Sequence, residues 1–188
     1  MAISPAPARP LPLIRLSALV VTVPIVALAI TWTYLGMRAV MDIGGACASG
    51  GPYVPVQPCP AGPDVLISVG IPLLLLATFA ASAAAWTLGA PTLILPMWVA
   101  LFGSLGWNFL TYAFAFEDGI VVGWLVCGIV FELMALPALV LIIVSDAVHL
   151  PGAVAGTAHA PRWRWWVFYA VASAAGLWLG LWTFRAWT

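Results

Sequence analysis

An all-α integral membrane protein of five transmembrane helices is the fold class this chain predicts, and three observations carry that expectation. Of its 188 residues, 64% are hydrophobic and only 6% charged, and lysine is absent altogether. The apolar residues gather into five long segments, and the one carboxylate set deep within them is Glu132. Stretches of ~18 or more residues nearly free of charge are long enough to cross a hydrocarbon core of ~30 Å.

The first span covers about residues 16–37, behind a Pro-rich head that carries Arg9 and Arg15. Arginine ahead of an apolar stretch also begins a signal peptide, but this stretch exceeds the ~7–15 residues of an h-region. The nearest Ala-x-Ala site, Ala46-Cys47-Ala48, falls well beyond its end, and Gly44-Gly45-Ala46 is a poor lipoprotein signal. The segment therefore reads as a retained helix. Spans two and three, about 65–88 and 92–116, are separated by the tight turn Thr87-Leu88-Gly89-Ala90-Pro91. Proline at a helix start is harmless, because its missing N–H would be unpaired there anyway. Span four covers about 119–148 and span five about 165–187. Pro72, Pro96 and Pro137 fall inside spans two, three and four, where each removes an i→i−4 bond and is expected to kink its helix. Apart from one loop, no connection exceeds about sixteen residues, so residues 1–188 are expected to form a single membrane domain.

Arginine counts give the orientation. With the N-terminus in the cytoplasm, the inside holds Arg9, Arg15, Arg162 and Arg164, and the outside only Arg38 and Arg185, in line with the positive-inside bias. The C-terminus and the loop 38–64 are then outside a bacterial cell membrane. That loop has five glycines and five prolines in 27 residues, a composition that forbids an ordinary helix and disfavours a regular strand. Cys47 and Cys59 both lie in it, on the side where disulfides persist. A bond between them would staple the loop, contributing ~2–3 kcal/mol through loop-closure entropy. It either protects an exposed loop or shapes a lid or docking surface over the helices. A redox-active pair is disfavoured, since reactive dithiols prefer Cys-x-x-Cys.

The strings Cys47-Ala48-Ser49-Gly50-Gly51-Pro52-Tyr53, Pro58-Cys59-Pro60 and Ser104-Leu105-Gly106-Trp107-Asn108-Phe109-Leu110 resemble a group of small, functionally unassigned bacterial multi-span membrane proteins. The resemblance covers the loop and the third span, under half the chain. It implies that the loop is a shared structural unit and carries no catalytic residue across.

Glu132 lies ~13 residues, or ~20 Å, from the outer end of its span. An ionised carboxylate at that depth is costly and usually functional. Span three runs the other way, which brings Ser104 to nearly the same depth and Asn108 one turn nearer the outside. Because side chains tilt toward the helix N-terminus, Glu132 leans toward that face. Ser104, Asn108 and Glu132 therefore form a candidate intramembrane polar site, either a proton- or cation-binding position or an interhelical hydrogen bond that fixes packing, worth ~0.6 kcal/mol and up to ~2. Cys127 reads as a small buried residue. The spans contain no histidine to ligate haem, and His149 and His159 with Asp146 match no metal signature. No Gly-Lys-Ser/Thr follows the Gly-rich run, so there is no phosphate loop. Neither a metal nor a cofactor is expected.

Arg162, Trp163, Arg164, Trp165 and Trp166 stand at the mouth of span five. Interleaved arginine and tryptophan can bind nucleic acid, but at a span end they are expected to anchor in the headgroup layer, so the partner expected here is the lipid bilayer and not nucleic acid. Trp182, Arg185 and Trp187 match them at the other end. Small residues recur at packing intervals, Ala172, Gly176 and Gly180 in span five and Gly119, Gly123 and Cys127 in span four, which lets helix backbones approach closely. Taken together, these features favour a non-enzymatic accessory or assembly protein that contacts a partner membrane protein or further copies of itself. A small oligomeric channel or carrier built around Glu132 is the alternative, and an enzyme acting on lipid, quinone or thiol ranks last.

Overall fold

The computed structural model describes residues 11–44, 59–115, 119–144 and 162–188. Every secondary-structure element among the described residues is a helix: α1 (Leu11–Asp42), α2 (Pro63–Leu88), α3 (Ile94–Ala113), α4 (Val122–Val144) and α5 (Arg162–Trp187). All five are long and apolar enough to cross a membrane. In hydrocarbon no water pairs with exposed backbone, so helices that satisfy their own N–H and C=O groups are the available solution for chains of this composition.

Local signals set the helix ends. Pro63 occupies the first turn of α2, and Asp64 complements its N-terminal dipole. At the other end Gly89 adopts φ 66°, a left-handed conformation that lacks a Cβ penalty only for glycine. The N–H groups of Gly89 and Ala90 bond back to the carbonyls of Trp86 (3.4 Å) and Ala85 (3.0 Å), a Schellman closure. The turn into α3 is as tight as the sequence predicts.

Several expectations need correction. α1 does not stop near residue 37 but continues to Asp42, so Arg38 belongs to a helix and not to the loop. The helix-disfavouring glycines and prolines begin only at Gly44, which leaves Arg38-Ala39-Val40-Met41-Asp42 free to extend it. Pro96 stands in the first turn of α3, where it costs no bond and makes no kink. The interior prolines are Pro24, Pro72 and Pro137. α3 ends at Ala113 and α4 starts at Val122, both inside the expected bounds, while residues 145–148 lie outside the described residues. α5 starts at Arg162, so the Arg-Trp cluster forms its first turns.

α1 is the hub. It packs against α2, α5 and α3, while α4 packs on α3 and makes no comparable contact with another helix. For reference, the proximal end is where α1 starts and the distal end where it stops. At the proximal end Leu19 and Val23 of α1 meet Ala81, Ala84 and Ala85 of α2, with Tyr169 and Ala172 of α5. The Tyr169 hydroxyl donates to the Pro91 carbonyl at 2.7 Å and ties α5 to the α2–α3 turn. Farther along, Val26 and Ala29 meet Leu74, Ala77 and Met97.

The α5 stripe of small residues is spent on α1. A Cβ at Gly176 would stand 2.1 Å from the Pro24 carbonyl oxygen, and one at Gly180 would stand 2.7 Å from Thr31 Cβ. Trp32 adds an indole hydrogen bond to Thr183 at 2.8 Å. Aromatic rings join α3 to α4: Phe102–Phe131 and Phe109–Phe131 lie 5.8 and 5.5 Å apart, and Trp98 packs on Phe102 within α3 at 4.5 Å. The Trp98 indole also donates to the Met134 carbonyl at 3.0 Å.

Candidate functional site

The three residues expected to converge around Glu132 do so only in part. Glu132 reaches α3 midway between the other two, its Oε1 2.7 Å from where a Cβ at Gly106 would be. Its depth is therefore close to that expected, and the side chain is half-buried. No hydrogen bond joins it to Ser104 or Asn108. The Ser104 hydroxyl bonds back to the Leu101 carbonyl at 3.0 Å, a bond internal to α3. Asn108 is fully buried and turned away from α4, toward α1. Its Nδ2 donates to the Tyr34 carbonyl at 3.1 Å, and its Oδ1 accepts from Arg38 Nη1 at 3.5 Å.

Asn108 thus belongs to a different cluster, at the distal end of α1 and α3. Tyr34, Arg38 and Asp42 follow one another at four-residue steps on α1, and Asn108 and Tyr112 do the same on α3. Because side chains four apart share a helix face, the two rows meet along the α1–α3 contact. The Arg38 guanidinium lies 5.2 Å from the Tyr112 ring centroid and 5.9 Å from that of Tyr34, within cation–π range. Arg38 Nη1 also donates to the Tyr34 hydroxyl at 3.4 Å. The Tyr112 hydroxyl donates to the Asp42 carboxylate, whose charge also acts on Arg38. Sequence reading missed the cluster of Arg38, Tyr34, Asp42 and Tyr112 because it ended the helix too early. The two rows of polar residues at i, i+4 spacing are the signal that would have found them.

Below this cluster a groove runs along α1 between α3 and α5. Its distal part, about 330 Å³, is lined by Tyr34, Thr31, Ser104, Leu177 and Leu181. Its proximal part, about 240 Å³, shares Ile30 and Leu177 and extends along Ala27, Val23 and Met97. The walls are almost wholly apolar.

Other candidates separate more simply. Trp163 and Trp166 are exposed and Arg164 sits 5.7 Å over the Trp163 ring, whereas Trp165 turns inward onto the proximal core. Arg162 starts the helix. Cys127 is a free thiol and exposed on α4, not buried as expected. Cys59 is not among the free thiols, while Cys47 lies outside the described residues, as do Asp146, His149 and His159. Among the described residues no group of three or more His, Cys, Asp or Glu side chains is placed to hold a metal ion. Two buried hydroxyls one turn apart on α2, Thr78 and Ser82, have no hydrogen-bond partner among the described residues. Compared with protein-family models, with curated proteins and with solved structures, the chain matches none.

Proposed function

We propose that this protein is a non-enzymatic membrane component that works by associating with a partner membrane protein or with further copies of itself. One observation carries the reading. Among the described residues α4 makes its extensive contacts with α3, and the small residues on its other side pack against nothing. A Cβ at Gly123 would meet nothing within 4 Å, and Cys127 one turn on is exposed. The comparable stripe on α5 is consumed against α1, so packing inside one chain accounts for α5 and leaves α4 open. A small-x-x-x-small face that is free at a bundle edge lets a second helix backbone approach closely.

The proposed topology is a bacterial cell membrane, the N-terminus in the cytoplasm, the C-terminus outside, and a Cys47–Cys59 bond closing the outer loop. The arginine distribution and the five spans support it. The test is a mild-detergent pull-down of the tagged protein from its native membrane, with component masses and stoichiometry. A discrete complex is expected from the wild type and its loss from Gly123→Ile, a change at a position where an added Cβ meets nothing within 4 Å. Free monomer from both proteins would end the proposal.

A second reading is favoured by Glu132, a half-buried carboxyl at the α3–α4 contact without a hydrogen bond to Ser104 or Asn108. It faces α3 on the side of α4 away from Gly123, so a proton or cation path through it would run along the α3–α4 contact. Flux into liposomes that Glu132→Gln abolishes supports a channel or carrier; equal flux from both proteins removes Glu132 from any mechanism.

A further inference from the structure

The cation at the distal end is incompletely engaged. Both hydrogen bonds of Arg38 leave from Nη1 and both are long, 3.4 and 3.5 Å. A guanidinium carries five N–H donors in a planar fork, so the Nε/Nη2 edge is unbonded among the described residues. Among the described residues no carboxylate forms an ion pair with it; the Asp42 carboxylate accepts from Tyr112 and acts on Arg38 only through space. The Tyr34 and Tyr112 rings lie within cation–π range of the guanidinium. A positioned fork with a free edge is the geometry that takes a phosphate in bidentate fashion.

Depth agrees with this. The apolar stretch of α1 is Leu13–Asp42, so its midpoint falls between Ala27 and Leu28. Arg38 is then about ten residues, or ~15 Å, from the middle at 1.5 Å per residue, which is the edge of a hydrocarbon core ~30 Å thick. Lipid phosphates lie just beyond that edge. Beneath Arg38 the groove begins at Tyr34, the ring it covers, and continues along α1 to Val23. From Arg38 to Val23 is about 22 Å of helix, enough to receive an acyl chain that reaches slightly past the midplane.

We propose that Arg38 and the α1–α3–α5 groove form one binding site for a membrane phospholipid, with the phosphate on the free edge of the guanidinium and an acyl chain along Ile30, Ala27 and Leu177. The order of the chemistry selects the occupant: a guanidinium edge open to a phosphate, beside an Asp42 carboxylate held by Tyr112, leads into apolar walls, and an anionic phospholipid has both parts in that order. The site is on the opposite side of α3 from α4, so it stands independently of association through Gly123.

Native mass spectrometry of the purified full chain, with equal amounts of phosphatidylglycerol and phosphatidylcholine added, tests it. The wild type is expected to retain phosphatidylglycerol, and Arg38→Gln to retain it about tenfold less, the scale of a charge-assisted hydrogen bond. Ala100→Phe keeps the cation but places a ring in the groove from an exposed position on α3; it is expected to lose the lipid while unfolding at the wild-type temperature. Equal retention by wild type and Arg38→Gln overturns the proposal. So does unchanged retention by Ala100→Phe, which would put the lipid elsewhere, or displacement by inorganic phosphate alone, which would show a site that reads no chain. A dimer that Ala100→Phe abolishes would place a second copy in the groove and overturn it equally.

Discussion

Single residues carry opposite signs here, depending on whether a polar group found a partner. Asn108 is fully buried and bonded to α1 through both ends of its amide. Asn108→Ala removes the α3–α1 link made by a fully buried amide, so it should destabilise the protein by about 1–3 kcal/mol. Thermal unfolding in detergent measures it, and an unchanged midpoint would mean the amide contributes nothing. Thr78 is the converse: it is 1% exposed and its hydroxyl is unpartnered among the described residues. Replacing an unsatisfied buried group by an apolar one of the same shape is neutral or favourable, so Thr78→Val should raise stability by up to about 1 kcal/mol. A clear loss would reveal that the hydroxyl has a partner. These residues also show what a sequence can tell about a site. The depth of Glu132 was legible, because rise per residue is constant and antiparallel spans can be aligned by counting; it lands at Gly106, beside the expected Ser104. Its azimuth was not. Asn108 is one turn from Ser104 yet faces α1, and which neighbour takes a face is decided by packing that spacing does not encode.

At the scale of elements, the five spans were legible in number and order because apolar length alone specifies them in lipid. Their ends were less so. α1 runs past its expected stop to Asp42, since Arg38 and Asp42 read as loop charges when they are two steps of one helical face. Pro96 was misread for a related reason: with α3 starting at Ile94, a proline in the first turn costs nothing. The packing roles of the two small-residue stripes separate only once neighbours are known. Gly176 faces backbone, the Pro24 carbonyl, which cannot rotate away. Gly176→Ala should therefore force α5 off α1 and cost about 1–3 kcal/mol, the usual penalty of overpacking, even though alanine is the better helix former by about 1 kcal/mol. Gly123→Ala meets nothing in its own chain within 4 Å and should leave the unfolding midpoint unchanged or raised. If both substitutions behave alike, the α1–α5 contact is looser than the Pro24–Gly176 approach implies.

The whole molecule is organised around α1, with α2 and α5 packed directly on it and α4 reached only through α3. Five crossings would put the start of α1 and the end of α5 on opposite sides, and with them the arginines that the described helices carry. Arg15, Arg162 and Arg164 fall at the proximal end and Arg38 and Arg185 at the distal end; in the proposed topology the positive-inside bias makes the proximal end the cytoplasmic one. The loop that joins α1 to α2 is then outside, where a Cys47–Cys59 bond would persist. Both claims meet in one experiment on intact cells. Cys127, exposed near the start of α4, is replaced by alanine so that labelling with a membrane-impermeant maleimide reads only the loop thiols. No label should attach before reduction, and two should attach after it, without permeabilisation. Label taken up before reduction would show free loop thiols and remove the staple. Label that requires permeabilisation as well as reduction would keep the bond and reverse the orientation, and the arginine asymmetry would then be the inference that failed, since a four-to-two count is small enough for packing of the hub helix to outweigh it.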